Sequence, residues 1–66
     1  MKSNELVLDL YGYTIGDIVK CSLMYKNSLY IVLASDYDGY ELMINVHDIK
    51  NEFTKWDLPE YYKKVK

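Results

Sequence analysis

Cys21 and His47 are the residues of this sequence whose side chains could act together as a nucleophile and a base. Each is the single residue of its type, and the ten carboxylates are scattered along the chain without the spacing of an acid/base pair. A reactive cysteine needs an electropositive surround, but Cys21 falls among apolar neighbours. The sequence therefore favours a buried, inert thiol and a surface histidine, and it predicts a protein that is not an enzyme.

The segment Asp36-Tyr37-Asp38-Gly39 begins like a calcium-binding loop. Such a loop needs a bidentate Glu at its twelfth position, which is His47 when counted from Asp36. The segment is better interpreted as a turn, in which Asp and Gly supply local hydrogen bonds and a positive φ. The sequence accordingly predicts no metal site and no cofactor.

Tyrosine is the residue type that stands out, with eight copies among 66 residues. Tyr25 and Tyr30 flank one predicted turn, and Tyr37 and Tyr40 flank the next. Tyrosine offers apolar area with a polar tip at low entropic cost, and it is enriched in interfaces for that reason. These four tyrosines are the predicted binding residues. The alternative, in which tyrosines line the small core and its edges, stays open.

The composition indicates one small globular domain over residues 1–66, with 50% hydrophobic and 27% charged residues. A single cysteine cannot form an internal disulfide, which favours a reducing compartment. The longest apolar run, 29–34, is far too short to span a bilayer, and the first residues lack the apolar core of a signal peptide. We therefore expect a cytoplasmic protein without a membrane partner.

The charge pattern disfavours a nucleic-acid partner. The formal net charge is -2 and the pI is about 5.1, so the chain lacks the basic footprint of a phosphate-binding domain. All eight basic residues are lysine. Arginine, the side chain best suited to bidentate phosphate recognition, is missing, and the lysine, tyrosine, isoleucine and asparagine content follows A/T-rich codons.

Short alternating segments separated by turn residues predict a mainly β fold of the α+β type. The predicted strands are 5–10, 17–25, 29–35 and 40–46. After them, Ile49, Phe53 and Trp56 follow helical spacing, although a strand through 53–56 is the alternative. A short C-terminal helix is predicted from Asp57, with Pro59 in its first turn.

The hairpin between the predicted strands 29–35 and 40–46 closes either with a two-residue turn at Asp38-Gly39 or with a four-residue loop over 36–39. The tight turn would place Asp36 opposite Glu41, a like-charge pair that costs roughly 0.2–1 kcal/mol, so we expect the longer loop. Both versions give the same predicted core face, because they differ by an even number of residues. That face consists of Ile31, Leu33, Leu42 and Ile44.

The opposite face of the predicted sheet is also apolar and must be covered by helices, by curling of the sheet or by a partner. Its members are Val19, Cys21, Leu23, Tyr25, Tyr30, Val32 and Met43.

The run Tyr13-Thr14-Ile15-Gly16-Asp17-Ile18-Val19-Lys20, followed by a three-stranded meander, resembles the opening of SH3-like barrels of the KOW and Tudor kind. The resemblance covers residues 13–47. It implies a small antiparallel meander or partly open barrel that binds protein or nucleic acid rather than one that catalyses a reaction.

These patterns predict a non-enzymatic protein-interaction module, such as a phage or low-GC bacterial accessory protein that binds and modulates a host protein. We expect a protein partner, with a homodimer as another way to cover the second apolar face. The alternative is an SH3-like nucleic-acid-binding module, in which tyrosines stack on bases and lysines contact phosphates. The lysines available for this are Lys20, Lys26, Lys63, Lys64 and Lys66.

Overall fold

The structure is a computed structural model that describes residues 10–22 and 28–65. Leu10 is helical in it, so the predicted strand 5–10 does not include that residue, and the rest of that strand lies outside the described residues. Of the predicted strand 17–25, Ile18–Cys21 forms a strand, Ser22 is in a turn, and residues 23–25 lie outside the described ranges. None of the described helices is long and apolar enough to cross a membrane.

Within residues 10–22 and 28–65, five antiparallel strands form one open sheet, which confirms the predicted mainly β fold class. The strands are β1 Ile18–Cys21, β2 Leu29–Asp38, β3 Glu41–Asp48, β4 Phe53–Asp57 and β5 Tyr62–Lys64. Their order in the sheet is β4-β3-β2-β1-β5, so the first strand pairs with the last. A 3-10 turn, Pro59–Tyr61, connects β4 to β5.

The helix predicted from the spacing over 49–56 is wrong, and the alternative strand forms instead. Asp48 closes a tight turn that precedes β4. One of its carboxylate oxygens accepts hydrogen bonds from the backbone N–H groups of Lys50 and Asn51, both at 3.0 Å. Glu52 then adopts a φ of 55° and donates its N–H to the Asp48 carbonyl, which reverses the chain into β4.

The predicted C-terminal helix is limited to the 3-10 turn. Asp57 accepts a hydrogen bond from the Leu58 N–H, and Pro59 lies in the first turn, as the sequence predicts. Tyr62 is then extended, with φ −124° and ψ 148°, because it pairs with Cys21 of β1 and buries its ring in the core. Pairing with the sheet overrides the local helix signal.

The β2–β3 hairpin closes more tightly than expected. Gly39 and Tyr40 form a two-residue turn, with Asp38 paired to Glu41, so neither the Asp38-Gly39 turn nor the four-residue loop is present. Gly39 has a φ of 66° at the first turn position, which is typical of a type II′ turn. The like-charge pair considered for the tight turn, Asp36 with Glu41, does not form. Asp38 lies opposite Glu41 instead, so a like-charge pair is present beside the turn.

A β-bulge at Leu33 corrects the predicted core face. Val32 pairs with Val46 and Ala34 with Asn45, so β2 carries one extra residue between them. Leu33 is consequently 44% exposed. Ile31 is half-buried on the outer face, whereas Ile44 is buried as predicted and Leu42 packs against the core.

The core combines the two predicted faces: Val19, Cys21, Tyr30 and Val32 come from the second apolar face and Ile44 from the predicted core face, whereas Met43 of the second face lines an outer groove. The core comprises Tyr13, Val19, Cys21, Tyr30, Val32, Ile44, Val46 and Tyr62. The rings of Tyr30 and Tyr62 meet edge to face, with centroids 5.4 Å apart. Apart from Met43, the described members of the second face are therefore buried within the described part of the chain, where Tyr13 belongs to the same core cluster.

Hydrogen bonds from buried tyrosine hydroxyls hold the β4–β5 connection against the core. Tyr13 donates its hydroxyl proton to the Pro59 carbonyl, and Tyr62 donates to Asp57 Oδ2 at 2.8 Å. Burial raises the pKa of both hydroxyls above the ordinary 10.0. Both groups therefore remain neutral hydrogen-bond donors at physiological pH.

Replacing Asp48 with Asn should flatten the acid side of the stability profile. The backbone N–H of Asn51, followed by its side-chain amide and the Lys50 N–H, holds the pKa of the Asp48 carboxyl below its ordinary 3.8. This stabilisation is fully present above pH 3.8 and is lost as the pH falls through the lower folded-state pKa. Urea titrations between pH 2 and 7 should show a shallower acid loss in Asp48→Asn than in the wild type. An unchanged acid slope, with Glu52→Gln as the control from the same turn, would contradict it.

Replacing Gly39 with Ala should destabilise the hairpin through the backbone alone. A Cβ at this position meets no atom within 4 Å, so the cost arises from the positive φ and should be about 1–2 kcal/mol. Chemically synthesised chain with D-alanine at position 39 is the matched control, since it adds the same methyl group in the favoured configuration. Thermal unfolding should rank D-alanine at or above glycine and L-alanine below it; equal effects of the two isomers would show that the turn does not need positive φ.

Candidate functional site

The structure separates the four predicted tyrosines. Tyr25 lies outside the described residues. Tyr30 is 1% exposed and belongs to the core, so the expectation that it lies on a binding surface is corrected: upstream of the bulge its side chain faces inward against Tyr62. Tyr37 is half-exposed and Tyr40 is fully exposed, and both lie at the β2–β3 hairpin.

The structure does not bring Cys21 and His47 together. Cys21 is buried on the inner face of β1, where it pairs with Tyr62. His47 is half-buried on β3 and pairs with Ile31, whose side chain lies on the outer face. The sheet therefore stands between the thiol and the imidazole. In residues 10–22 and 28–65, no three His, Cys, Asp or Glu side chains are grouped so that they could hold a metal ion.

A groove of about 300 Å³ opens on the outer side of the sheet, near the tip of the β2–β3 hairpin. We call it the hairpin groove; its lining residues are Asp36, Tyr37, Asp38, Met43 and Trp56. It crosses three strands, because Asp36 pairs with Met43 on the neighbouring strand and Trp56 pairs with Asn45, two residues along β3 from Met43. Met43, the direct partner of Asp36, and Trp56, the diagonal neighbour of Met43, thus form its floor.

The floor of the hairpin groove is apolar and aromatic. Trp56 is 50% exposed and Met43 is half-buried, whereas Tyr37, 48% exposed, pairs with Leu42 and so lies on the face opposite to Asp36 and Asp38. Met43 is a flexible, polarizable side chain that adapts to different contacts, and Trp56 offers the largest ring of the chain. Together they present a contact surface that the protein's own described residues leave partly open to solvent.

Carboxylates surround this apolar floor. Asp36 and Asp38 line the groove, and Glu41 lies directly opposite Asp38 across the turn. Asp36 Oδ1 accepts a hydrogen bond from the Tyr37 N–H at 2.8 Å. Among the described residues the salt bridges join Lys55 to Asp57 and Lys64 to Asp17, so none of these three carboxylates is neutralised by a described lysine.

Sequence reasoning missed Trp56 because its spacing from Ile49 and Phe53 fits a helix. The alternative strand held the signal: Lys55 and Asp57 alternate with Thr54 and Trp56, so the two faces of β4 differ. In the structure Lys55 pairs with the buried Val46, and Trp56 therefore points outward.

Comparison with known proteins gives no relative from which a role could be transferred. No protein-family model, no curated protein and no solved structure matches the chain significantly. The function therefore has to be argued from the geometry of the hairpin groove.

Replacing Glu41 with Gln should stabilise the protein. Glu41 and Asp38 are directly paired like charges, which is unfavourable by roughly 0.2–1 kcal/mol, and the amide removes the repulsion while it keeps the shape. Urea unfolding at low ionic strength should show the gain, and added salt should shrink it. Glu60→Gln, an exposed carboxylate outside the sheet, is the control. A Glu41→Gln variant no more stable than this control would show that the pair costs nothing.

Proposed function

We propose that this protein is a small non-enzymatic protein-interaction module that binds its partner with the hairpin groove. The observation that carries the proposal is the half-exposed Trp56, which lines a concave site together with Met43. Tryptophan, tyrosine and methionine are enriched in protein interfaces, and tryptophan and tyrosine are frequent among the residues that dominate binding energy.

The position of the site on the sheet supports this role. Each groove residue lies in or directly beside a regular β ladder, so little ordering entropy remains to be lost on binding. Tyr40, fully exposed at the turn, would extend the contact beyond the groove margin. The separation of Cys21 from His47 adds support for binding over catalysis, since the two side chains lie on opposite faces of the sheet.

We also propose that the fold is an SH3-like small barrel, as the resemblance of residues 13–47 implies. Support comes from the pairing of the first strand with the last and from the short connections between consecutive antiparallel strands. The lysine-only basic composition supports an A/T-rich source such as a phage or a low-GC bacterium, with a cytoplasmic host protein as the partner.

One observation favours the alternative, an SH3-like nucleic-acid-binding module. Lys20 and Lys63 are exposed and directly paired at the β1–β5 edge, which concentrates positive charge there. However, Tyr30 and Tyr62 are buried and cannot stack on bases. The exposed Trp56 ring instead lines a groove with carboxylates that repel phosphate, so a protein partner fits the site better.

Replacing Trp56 with Ala should abolish partner capture. Immobilised wild-type protein, incubated with lysate of a low-GC bacterium, is expected to retain a specific host protein. Loss of a central tryptophan costs about 2 kcal/mol or more, roughly thirtyfold in affinity, so the Trp56→Ala variant should lose that protein.

Phe53→Ala provides the matched control, because Phe53 is a 44% exposed aromatic residue on the same strand but outside the groove. It should retain the partner. Circular dichroism establishes that both variants are folded. Equal retention by wild type and Trp56→Ala would contradict the proposal, and salt-sensitive binding of oligonucleotides by the wild type would favour the alternative module.

A further inference from the structure

We propose that the hairpin groove is built for a basic segment of the partner protein, with a lysine or arginine side chain lying against Trp56 and pairing with Asp36 and Asp38. This inference rests on the proposed function and adds the chemistry of the partner. Its three supports are charge complementarity at the groove, the repulsion stored at the groove margin and a matching arrangement elsewhere in the same protein.

Charge complementarity is the first support. Asp36 and Asp38 line an apolar floor, and neither forms a salt bridge with any residue in the described ranges. A neutral apolar partner would cover these carboxylates and remove their water without compensation, which is costly. A cationic side chain pairs with them while its methylene stem packs on Met43.

The paired carboxylates at the turn are the second support. Asp38 and Glu41 oppose each other directly, an arrangement that β-sheets disfavour. Such breaches of a local rule are expected at functional sites. A cation bound beside Asp38 would attract both carboxylates and relieve the repulsion between them. Because the free protein carries this repulsion, its relief on binding would strengthen the affinity.

The third support comes from the inner face of β4, the strand that contains Trp56. Lys55 Nζ lies 5.5 Å from the centroid of the Tyr30 ring and 3.5 Å from Asp57 Oδ2. An ammonium group between an aromatic face and a carboxylate is thus already part of this fold. Trp56, the next residue, presents a larger ring to the outer side, and Asp36 lies across the groove two strands away, about 10 Å. The hairpin groove offers the aromatic ring and the carboxylates, and no cation is among its described lining residues.

Trp56 makes the inference directly measurable, since it is the single tryptophan of the chain and its fluorescence reports on the groove. The full chain is titrated with a ten-residue peptide of alternating Lys and Ser, and in parallel with the peptide in which Glu replaces Lys. The Lys peptide should produce a saturable change in emission, and the Glu peptide none. The affinity should fall about tenfold between low and physiological salt, because the attraction is between partly exposed charges.

The double variant Asp36→Asn/Asp38→Asn tests the location. It removes two negative charges and changes the formal net charge from -2 to 0. Glu52→Gln/Glu60→Gln makes the same change in net charge at two exposed carboxylates outside the groove. The first variant should bind the Lys peptide at least about tenfold more weakly, and the second should bind as the wild type does.

Failure of this inference can be told apart from failure of the proposed function. Equal losses in the two double variants, no saturation with the Lys peptide, or equal binding of the Glu peptide would each overturn the cationic partner. If the captured host protein depends on Trp56 but not on Asp36 and Asp38, the interaction module stands and the basic segment does not. If capture is indifferent to Trp56, the module itself is wrong.

Discussion

The bulge at Leu33 is the constraint on which the rest of the structure depends. Upstream of it, Tyr30 and Val32 face the core; downstream of it, Asp36 and Asp38 face solvent. A regular strand with the same inward tyrosine and valine would turn both aspartates into the core, where unpaired carboxylates are prohibitively expensive. One unpaired residue therefore lets a single ten-residue strand serve a packed interior at one end and an acidic groove at the other.

The tyrosine content has two physical explanations in this protein, and they apply to different residues. Tyr13, Tyr30 and Tyr62 are core residues, and the hydroxyls of Tyr13 and Tyr62 reach acceptors at the β4–β5 connection. Large rings suit a core that so short a chain must fill with few side chains. Tyr37 and Tyr40 are exposed, so the interface role stays a prediction for these two hairpin residues, whereas it is wrong for the buried Tyr30.

Alternation and turn residues predicted the mainly β fold and the positions of β2 and β3, because those patterns follow directly from the pleat of a strand. The register could not be predicted: a bulge shifts the pairing by one residue without any signature in the composition of β2. After Asp48 and Asp57, helices were predicted where strands form. Pairing with β3 or β1 outweighs a single favourable turn at each of these residues. Trp56 was missed as a surface residue for the same reason.

The pairing of β1 with β5 ties the fold to the order in which the chain is made. Cys21 of the first strand has its partner in Tyr62 of the last, and the Tyr13 hydroxyl has its acceptor in Pro59. A ribosome adds the residues between Cys21 and Tyr62, about 40 of them, at about 5–20 per second, so β5 appears roughly 2–8 seconds after β1. During that interval the nascent β1 offers an unpaired strand edge, open to chaperones and to neighbouring chains. Until β5 is synthesised, this open edge of β1 is therefore an aggregation hazard to the cell.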